Sequence, residues 1–303
     1  MALTYTEAIV VGLVQGVTEL FPVSSLGHSV LMPALIGGRW ARDLDVSAAE
    51  SPYLAFIVGL HVATAVALLI FFRADWARII RGFFTSVRHR QISTADERLA
   101  WLILLATIPV GLAGLLLEHT FRTVLGRPAP AATFLILNGL VLLFAERVRR
   151  TAMEDIPVPA GRDPAHQRAE TYADRRLARL SVPSAVLIGS AQILALLPGI
   201  SRSGVTMAGG LVRGLDHEDA ARFSFLLATP VILAAGVLKL PDLAGPLGAG
   251  IHGQVLAGSI VSGLGAYAAV RWLTRWFTTR TLTPFGIYSL LVGAAGLVVL
   301  AAR

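Results

Sequence analysis

Six stretches of the chain are long, apolar and almost free of charged side chains, and they constrain the fold more than any other feature. They cover residues 53–72, 100–117, 131–145, 223–238, 253–270 and 284–301. Each is close to the roughly 20 residues that an α-helix needs to cross about 30 Å of hydrocarbon. Only 15% of all residues are charged, whereas soluble domains have about 25%. The sequence therefore predicts an all-α polytopic membrane protein.

Two further apolar regions, 6–36 and 182–212, are interrupted by helix-breaking residues. Pro22 lies in the first region, and Pro198 followed by Gly199 lies in the second. Because proline lacks a backbone N–H and disfavours helix at the residue before it, each region should form two short helices around a break. Helices of roughly 12–16 residues are short for a full crossing. We therefore interpret each region as a re-entrant hairpin, whose unwound backbone must be surrounded by protein or by a water-filled cavity.

Basic residues are distributed unevenly among the loops between these segments. Loops 73–98, 147–181 and 271–283 are rich in arginine, whereas 37–52, 118–130 and 239–252 each carry one or two basic residues. The positive-inside rule places the rich loops in the cytoplasm and accounts for the net charge of +7 without nucleic-acid binding. The alternation of sides then requires that both hairpins return to the side from which they enter.

The resulting topology is one hairpin plus three spans, present twice in opposite orientations. The predicted first repeat is 1–147 with hairpin 6–36, a cytoplasmic linker follows at 148–181, and the second repeat is 182–303 with hairpin 182–212. In membrane proteins with inverted repeats, broken helices place the binding site near the middle of the bilayer. The two breaks are therefore the expected position of a functional site.

Ionisable side chains lie beside both breaks. Gln15 and Glu19 are four residues apart, hence on one face of the first half-helix. A glutamate at membrane depth is costly unless it is paired, so it indicates a functional site by default. Arg202 is the arginine deep in an apolar region and is the expected ionic partner. The alternative is that this ion pair only stabilises the fold. A functional role is favoured because the pair lies within the two breaks.

Serine residues follow the two prolines and should cap the returning half-helices. Ser24 and Ser25 occupy this place in the first break and Ser201 in the second. Helix N-termini bind phosphate, and Arg202 can hold phosphate oxygens bidentately, so the breaks together predict a polyanion site. Each serine alone would be interpreted as a simple cap. His28, three residues after Ser25, adds a base near a nucleophile, which is typical of covalent catalysis.

The stretches "QGVTELFPVSSLGH" and "LLPGISRSGVTMAGG" resemble the two signature motifs of the bacterial undecaprenyl-diphosphate phosphatases (BacA/UppP type). The first is similar to (E/Q)xxxE followed by PxSSxxH, and the second to PGxSRSG. The resemblance extends along nearly the whole chain. It implies hydrolysis of undecaprenyl diphosphate to undecaprenyl phosphate and inorganic phosphate, which recycles the lipid carrier for peptidoglycan synthesis. It also implies a location in the bacterial cytoplasmic (inner) membrane, a site open to the extracytoplasmic side, and a link to bacitracin resistance.

The resemblance further implies roles for single residues. Ser25 stands at the position of the proposed nucleophile and His28 at that of the catalytic histidine, with Glu19 and Arg202 completing the catalytic set. Glu19 and Gln15 would hold a divalent cation, Mg²⁺ or Ca²⁺, bound mainly with the substrate diphosphate. The expected phosphate-binding residues are Ser24, Gly27, Ser201, Arg202 and Ser203.

Several alternatives remain open at the level of sequence. Either Ser25 or His28 could attack phosphorus. Two positions depart from the family pattern: Leu26 replaces a common threonine or serine, and Gln15 supplies a neutral oxygen in place of a carboxylate. A polyprenyl-phosphate flippase or transporter is the competing function, because inverted repeats with midplane half-helices are typical of transporters. The expected partners are the polyprenyl diphosphate lipid and a second copy in a homodimer.

Three polar residues in the apolar stretches are expected to serve internal hydrogen bonding or an interface instead of catalysis. They are His61, Asn138 and Glu146. The absence of cysteine from the chain excludes disulfides, thiolate metal sites and a cysteine nucleophile.

Overall fold

The computed structural model describes residues 3–46, 52–154 and 175–303, and every regular element within these ranges is helical. The α-helices of these ranges, in chain order, are α1 Tyr5–Thr18, α2 Ser25–Ile36, α3 Gly38–Asp43, α4 Pro52–Phe71, α5 Arg73–His89, α6 Ala95–Leu125, α7 Pro128–Glu154, α8 Val182–Ser190, α9 Arg202–Val212, α10 His217–Ala244, α11 His252–Trp276 and α12 Thr283–Ala301. Two 3₁₀ segments, Ala191–Leu196 and Pro246–Gly248, complete the described elements.

Six of these helices are long and apolar enough to cross a membrane. The candidate spans are Pro52–Phe71, Ala95–Leu125, Pro128–Thr151, His217–Lys239, His252–Trp276 and Thr283–Ala301, which belong to α4, α6, α7, α10, α11 and α12. Each coincides with one of the six apolar stretches of the sequence. The predicted class, an all-α multi-pass membrane protein, is confirmed.

Both regions predicted to break do so at their prolines. In the first region α1 ends at Thr18 and α2 begins at Ser25. In the second, α8 passes into a 3₁₀ segment, and α9 begins only at Arg202. Gly199 explains why the second chain reversal can be so tight. Its φ is +112°, and a Cβ there would overlap the carbonyl oxygen of Ala131, so glycine alone fits.

One loop of the predicted topology is largely helical. The arginine-rich segment 73–98 contains α5, whose apolar side chains recur three and four residues apart at Ile80, Phe84 and Val87. Arg78, Arg81 and Arg88 lie at other positions of the same helix, so the segment is an amphipathic helix, which a count of basic residues in a loop does not reveal. Of the predicted linker 148–181, residues 148–154 belong to α7 and residues 155–174 lie outside the described ranges.

Helices from the two halves of the chain pack closely against each other. α1 and α4 lie against α11, and α7 lies against α12. Small residues permit the approach: a Cβ on Gly12 would be 2.5 Å from the Gly258 carbonyl oxygen, and one on Gly139 would be 2.6 Å from that of Gly286. Such contacts are the usual means by which membrane helices associate. This packing brings the two breaks together in the interior.

Candidate functional site

The two breaks touch, and a buried asparagine from α7 joins them. A Cβ on Gly27 would lie 2.9 Å from the Cα of Gly199. The amide of Asn138 donates to the Pro22 carbonyl (3.0 Å), and its oxygen accepts from the Ser201 backbone N–H (2.9 Å). The prediction that Asn138 serves internal hydrogen bonding is confirmed. Its effect is to fix the distance between the breaks.

Two of the three predicted helix caps are confirmed. Ser24 caps α2 by accepting from the Gly27 N–H (3.2 Å), and Ser201 caps α9 by accepting from the Gly204 N–H (3.1 Å). The predicted cap by Ser25 is wrong, because a helix has one N-cap position and Ser24 occupies it. Ser24 has a φ of +67°, a strained conformation for a residue other than glycine that is typical of functional sites.

Glu19 is the centre of the site. Its Oε1 accepts from Arg202 Nη2 at 2.8 Å, which confirms the predicted ion pair. Its Oε2 accepts from the Ser25 hydroxyl and from Gln15 Nε2 at 2.9 Å, and it lies 3.2 Å from His61 Nε2. The carboxylate is almost inaccessible, with a side-chain exposure of 5%. A buried carboxylate with this many donors is held in one orientation.

His61 belongs to the site, although from the sequence it was expected to serve only internal hydrogen bonding. Its Nδ1 lies 2.9 Å from the Ile57 carbonyl, which can only accept, so Nδ1 carries a proton and Nε2 faces Glu19 and Gln15. No motif contains this residue, and contact with Glu19 depends on the packing of α4 against α1. The available signal was an ionisable side chain in the middle of an otherwise uncharged span.

His28 lies in the first turn of α2 but is paired differently from what the spacing suggested. Its Nδ1 lies 2.7 Å from the Ser24 carbonyl and its Nε2 2.8 Å from the Tyr288 hydroxyl. The hydroxyl of Ser25 donates to Glu19. Among the described contacts, the expected hydrogen bond between Ser25 and His28 is therefore replaced by two separate pairs. Tyr288, on α12, was not singled out from the sequence.

The remaining serines of the second motif connect the breaks. Ser203 donates to the Phe21 carbonyl at 3.2 Å, and the Ser201 hydroxyl lies 3.4 Å from the same oxygen. Their hydroxyls thus face the first break, not Glu19. Glu146 is also internal, as predicted, and accepts from the Leu282 N–H at 2.6 Å.

Two buried polar atoms of the site have no hydrogen-bond partner within the described part of the chain. They are Oε1 of Gln15 and Nη1 of Arg202. Buried polar atoms are normally paired, so these two are available to a ligand that enters the site. An amide oxygen suits a cation, and a guanidinium N–H suits an anion such as phosphate.

The donor set fits a divalent cation that shares its ligands with a substrate. Within the described residues, no cluster of three or more His, Asp or Glu side chains could hold a metal. Glu19 and the free oxygen of Gln15 are nevertheless oxygen donors of the kind that Mg²⁺ and Ca²⁺ prefer. Mg²⁺ in particular is commonly bound by one or two carboxylates together with substrate phosphates. The residues present therefore fit a cation that arrives with a diphosphate.

Comparison with known proteins establishes the family. A family model described as "Bacitracin resistance protein BacA" matches residues 8–295. The chain belongs to the BacA family. This BacA-family chain is 67% identical over 301 residues to an undecaprenyl-diphosphatase of Mycolicibacterium paratuberculosis, with 99% of both chains covered. It is 54% identical over 358 residues to undecaprenyl-diphosphatase 1 of Frankia casuarinae, with 96% of both chains covered.

A more distant relative extends the likeness across the same length. Undecaprenyl-diphosphatase 2 of Chromobacterium violaceum is 43% identical over 295 residues, covering 96% of this chain and 97% of the other. The resemblance inferred from the two motifs is thereby confirmed for the BacA-family chain as a whole.

Proposed function

We propose that the protein hydrolyses undecaprenyl diphosphate to undecaprenyl phosphate and inorganic phosphate. The observation that carries this proposal is the cluster of Glu19, Ser25 and Arg202, in which a hydroxyl and a guanidinium share one buried carboxylate. The names of relatives that match almost the full length of the chain support the same substrate.

Arg202 is the residue that binds the diphosphate. Its Nη2 is paired with Glu19, while Nη1 is buried without a partner in the described residues. A phosphate oxygen at Nη1 would complete the hydrogen bonding of the guanidinium. The N-terminus of α9 begins at this residue and adds its own positive end to the binding of the anion.

Ser25 is the nucleophile, and Glu19 is the base that receives its proton. The Ser25 oxygen forms a bond to the terminal phosphorus, the bond from that phosphorus to the bridging oxygen breaks, and undecaprenyl phosphate leaves. Water then forms a bond to the phosphorus and gives a proton to Nε2 of His28, while the bond from that phosphorus to the Ser25 oxygen breaks. Ser25 recovers its proton from Glu19, and inorganic phosphate leaves with the proton held by His28. The existing hydrogen bond from Ser25 to Glu19 supports this assignment over proton transfer to His28.

A divalent cation, Mg²⁺ or Ca²⁺, would be held by Glu19 and by Oε1 of Gln15 together with the diphosphate. It would neutralise charge on the phosphate oxygens. The neutral amide of Gln15 contributes less attraction than a carboxylate would, so the cation is bound mainly through the substrate.

The proposed architecture is an inverted repeat with two re-entrant hairpins, in the inner membrane, with the site open to the extracytoplasmic side. The distribution of arginine supports this orientation. The pairing of α1 with α11 and of α7 with α12 is the packing expected when two oppositely oriented halves interlock. The homodimer stays a prediction, which the mass of the purified protein in detergent would test.

Phosphate release by the purified protein in detergent tests the proposed function. Undecaprenyl diphosphate should yield one inorganic phosphate per molecule, a chelator should stop the release, and Glu19→Gln should be inactive. Failure to release phosphate from any prenyl diphosphate would overturn the proposal. Transbilayer movement of the lipid without hydrolysis would then support the transporter.

Rapid mixing with substrate labelled in the terminal phosphate tests the nucleophile. A phosphoserine at Ser25 survives acid, whereas a phosphohistidine at His28 is labile in acid. An acid-labile adduct at His28 would refute the assignment to Ser25.

A further inference from the structure

Hydrogen bonding fixes the tautomer of His28. Its Nδ1 lies 2.7 Å from the backbone carbonyl of Ser24, and a carbonyl can only accept, so Nδ1 carries a proton. In the neutral imidazole the lone pair is therefore on Nε2. Nε2 is the nitrogen of His28 that can accept a proton or bind phosphorus.

The Tyr288 hydroxyl is hydrogen-bonded to this nitrogen. Its hydroxyl lies 2.8 Å from Nε2, and the two rings are stacked with centroids 5.7 Å apart and planes 11° from parallel. The tyrosine thus restrains both the rotation of the ring about its bonds and the direction of the lone pair. Tyr288 is 42% exposed, so the pair lies at the accessible edge of the cluster.

The position of Tyr288 is coupled to the two breaks. The next residue on α12, Ser289, is fully buried, and its hydroxyl lies 3.2 Å from the Asn138 amide that joins Pro22 to Ser201. The turn of α12 that carries Tyr288 is therefore anchored to the same asparagine as the breaks. In this way a tyrosine 260 residues away in sequence is held at hydrogen-bonding distance from His28.

We propose that Tyr288 is a positioning residue for the reaction, acting through His28: its hydroxyl and ring hold the imidazole, whose tautomer is set by the Ser24 carbonyl, in one orientation beside Ser25. This inference rests on the proposed phosphatase function. A histidine that is free to rotate would present Nε2 in the productive direction for only part of the time, so the chemical step would slow while binding of the diphosphate at Arg202 would persist.

Tyr288→Phe separates the hydroxyl from the ring. Phosphate release should show kcat lowered about tenfold, equivalent to about 1.4 kcal/mol, with KM changed less than twofold and the thermal unfolding midpoint unchanged. Tyr288→Leu, which also removes the stacked ring, should lower kcat further. Tyr267→Phe is the matched control, because this α11 tyrosine packs on Phe71, away from His28, and the change should leave kcat unchanged.

A double-mutant cycle with His28→Ala distinguishes positioning from a general structural role. If Tyr288 acts through His28, Tyr288→Phe should cause no further loss in the His28→Ala background. Wild-type kcat in Tyr288→Phe, or the full tenfold loss in the His28→Ala background, would overturn the inference. An inactive wild-type protein would instead refute the proposed function, so the two failures are distinguishable.

Discussion

Asn138 offers a direct test of whether the two breaks must be held together. The side chain is fully buried and makes three hydrogen bonds, to the Pro22 carbonyl, the Ser201 N–H and the Ser289 hydroxyl. Leucine has a similar size and shape but can make none of them. Asn138→Leu therefore removes the connection while filling the same volume.

The expected loss of stability can be bounded from these contacts. Interhelical hydrogen bonds in membranes average about 0.6 kcal/mol, which for the three bonds of Asn138 gives a lower bound of about 2 kcal/mol. The substitution would leave the Pro22 carbonyl and the Ser201 N–H buried and unpaired. Each such group costs about 1–3 kcal/mol, so the upper bound is about 6 kcal/mol. Because Ser201 caps the helix that begins at Arg202, activity should fall with stability.

The assay is thermal unfolding of the purified protein in detergent, followed by phosphate release well below the unfolding midpoint. Asn138→Leu should unfold at a lower temperature and lose most of its kcat even where it is still folded. Thr229→Val is the matched control, because this buried hydroxyl bonds only the Phe225 carbonyl of its own helix among the described contacts. An Asn138→Leu protein with wild-type stability and wild-type kcat would refute the reasoning.

Arg202→Lys keeps the charge but loses the planar fork, so kcat should fall at least tenfold; near-normal phosphate release would show that a point charge suffices. Ser25→Ala should abolish turnover while equilibrium binding of the diphosphate persists, and substantial turnover would exclude Ser25 as the nucleophile. Gly199→Ala should prevent folding or lower the unfolding midpoint strongly, because its φ is +112° and a Cβ would overlap a carbonyl; an unchanged midpoint would contradict the close contact. In this cysteine-free chain, an impermeant thiol reagent on intact cells should label Arg127→Cys but not Gln91→Cys, and the reverse pattern would invert the proposed topology.

The spans, the breaks and the central ion pair could be predicted from the sequence because each depends on local chemistry. Apolar length identifies a span, proline identifies a break, and a glutamate in an apolar segment requires a cation, which Arg202 supplies. Both Ser24 and Ser25 were expected to cap α2, although only Ser24 does, because both are good caps and composition cannot choose between them.

His61 and Tyr288 could not be placed in the site from the sequence. Each contacts its partner only because helices distant in the chain pack together, as α4 does with α1 and α12 with α2. Neither residue lies in a motif with a break or a cap. The pairing of Ser25 with Glu19 instead of His28 was likewise not predictable, because Ser25 and Glu19 lie on opposite sides of the first break and spacing in sequence does not give a distance across it.

The separation of Glu19 from Arg202 along the chain also has a consequence for biosynthesis. The two residues are 183 positions apart, so at about 5–20 residues per second the ribosome needs roughly 10–40 s to proceed from one to the other. During that interval the glutamate is present in the nascent protein without its arginine. His61 is synthesised much earlier, only 46 residues after Gln15, and of the two basic side chains that contact the carboxylate it is the first to be made. A nascent chain that ends before α9 would contain Glu19 and His61 but not Arg202, so the ion pair of the site can form only after about two thirds of the chain has been synthesised.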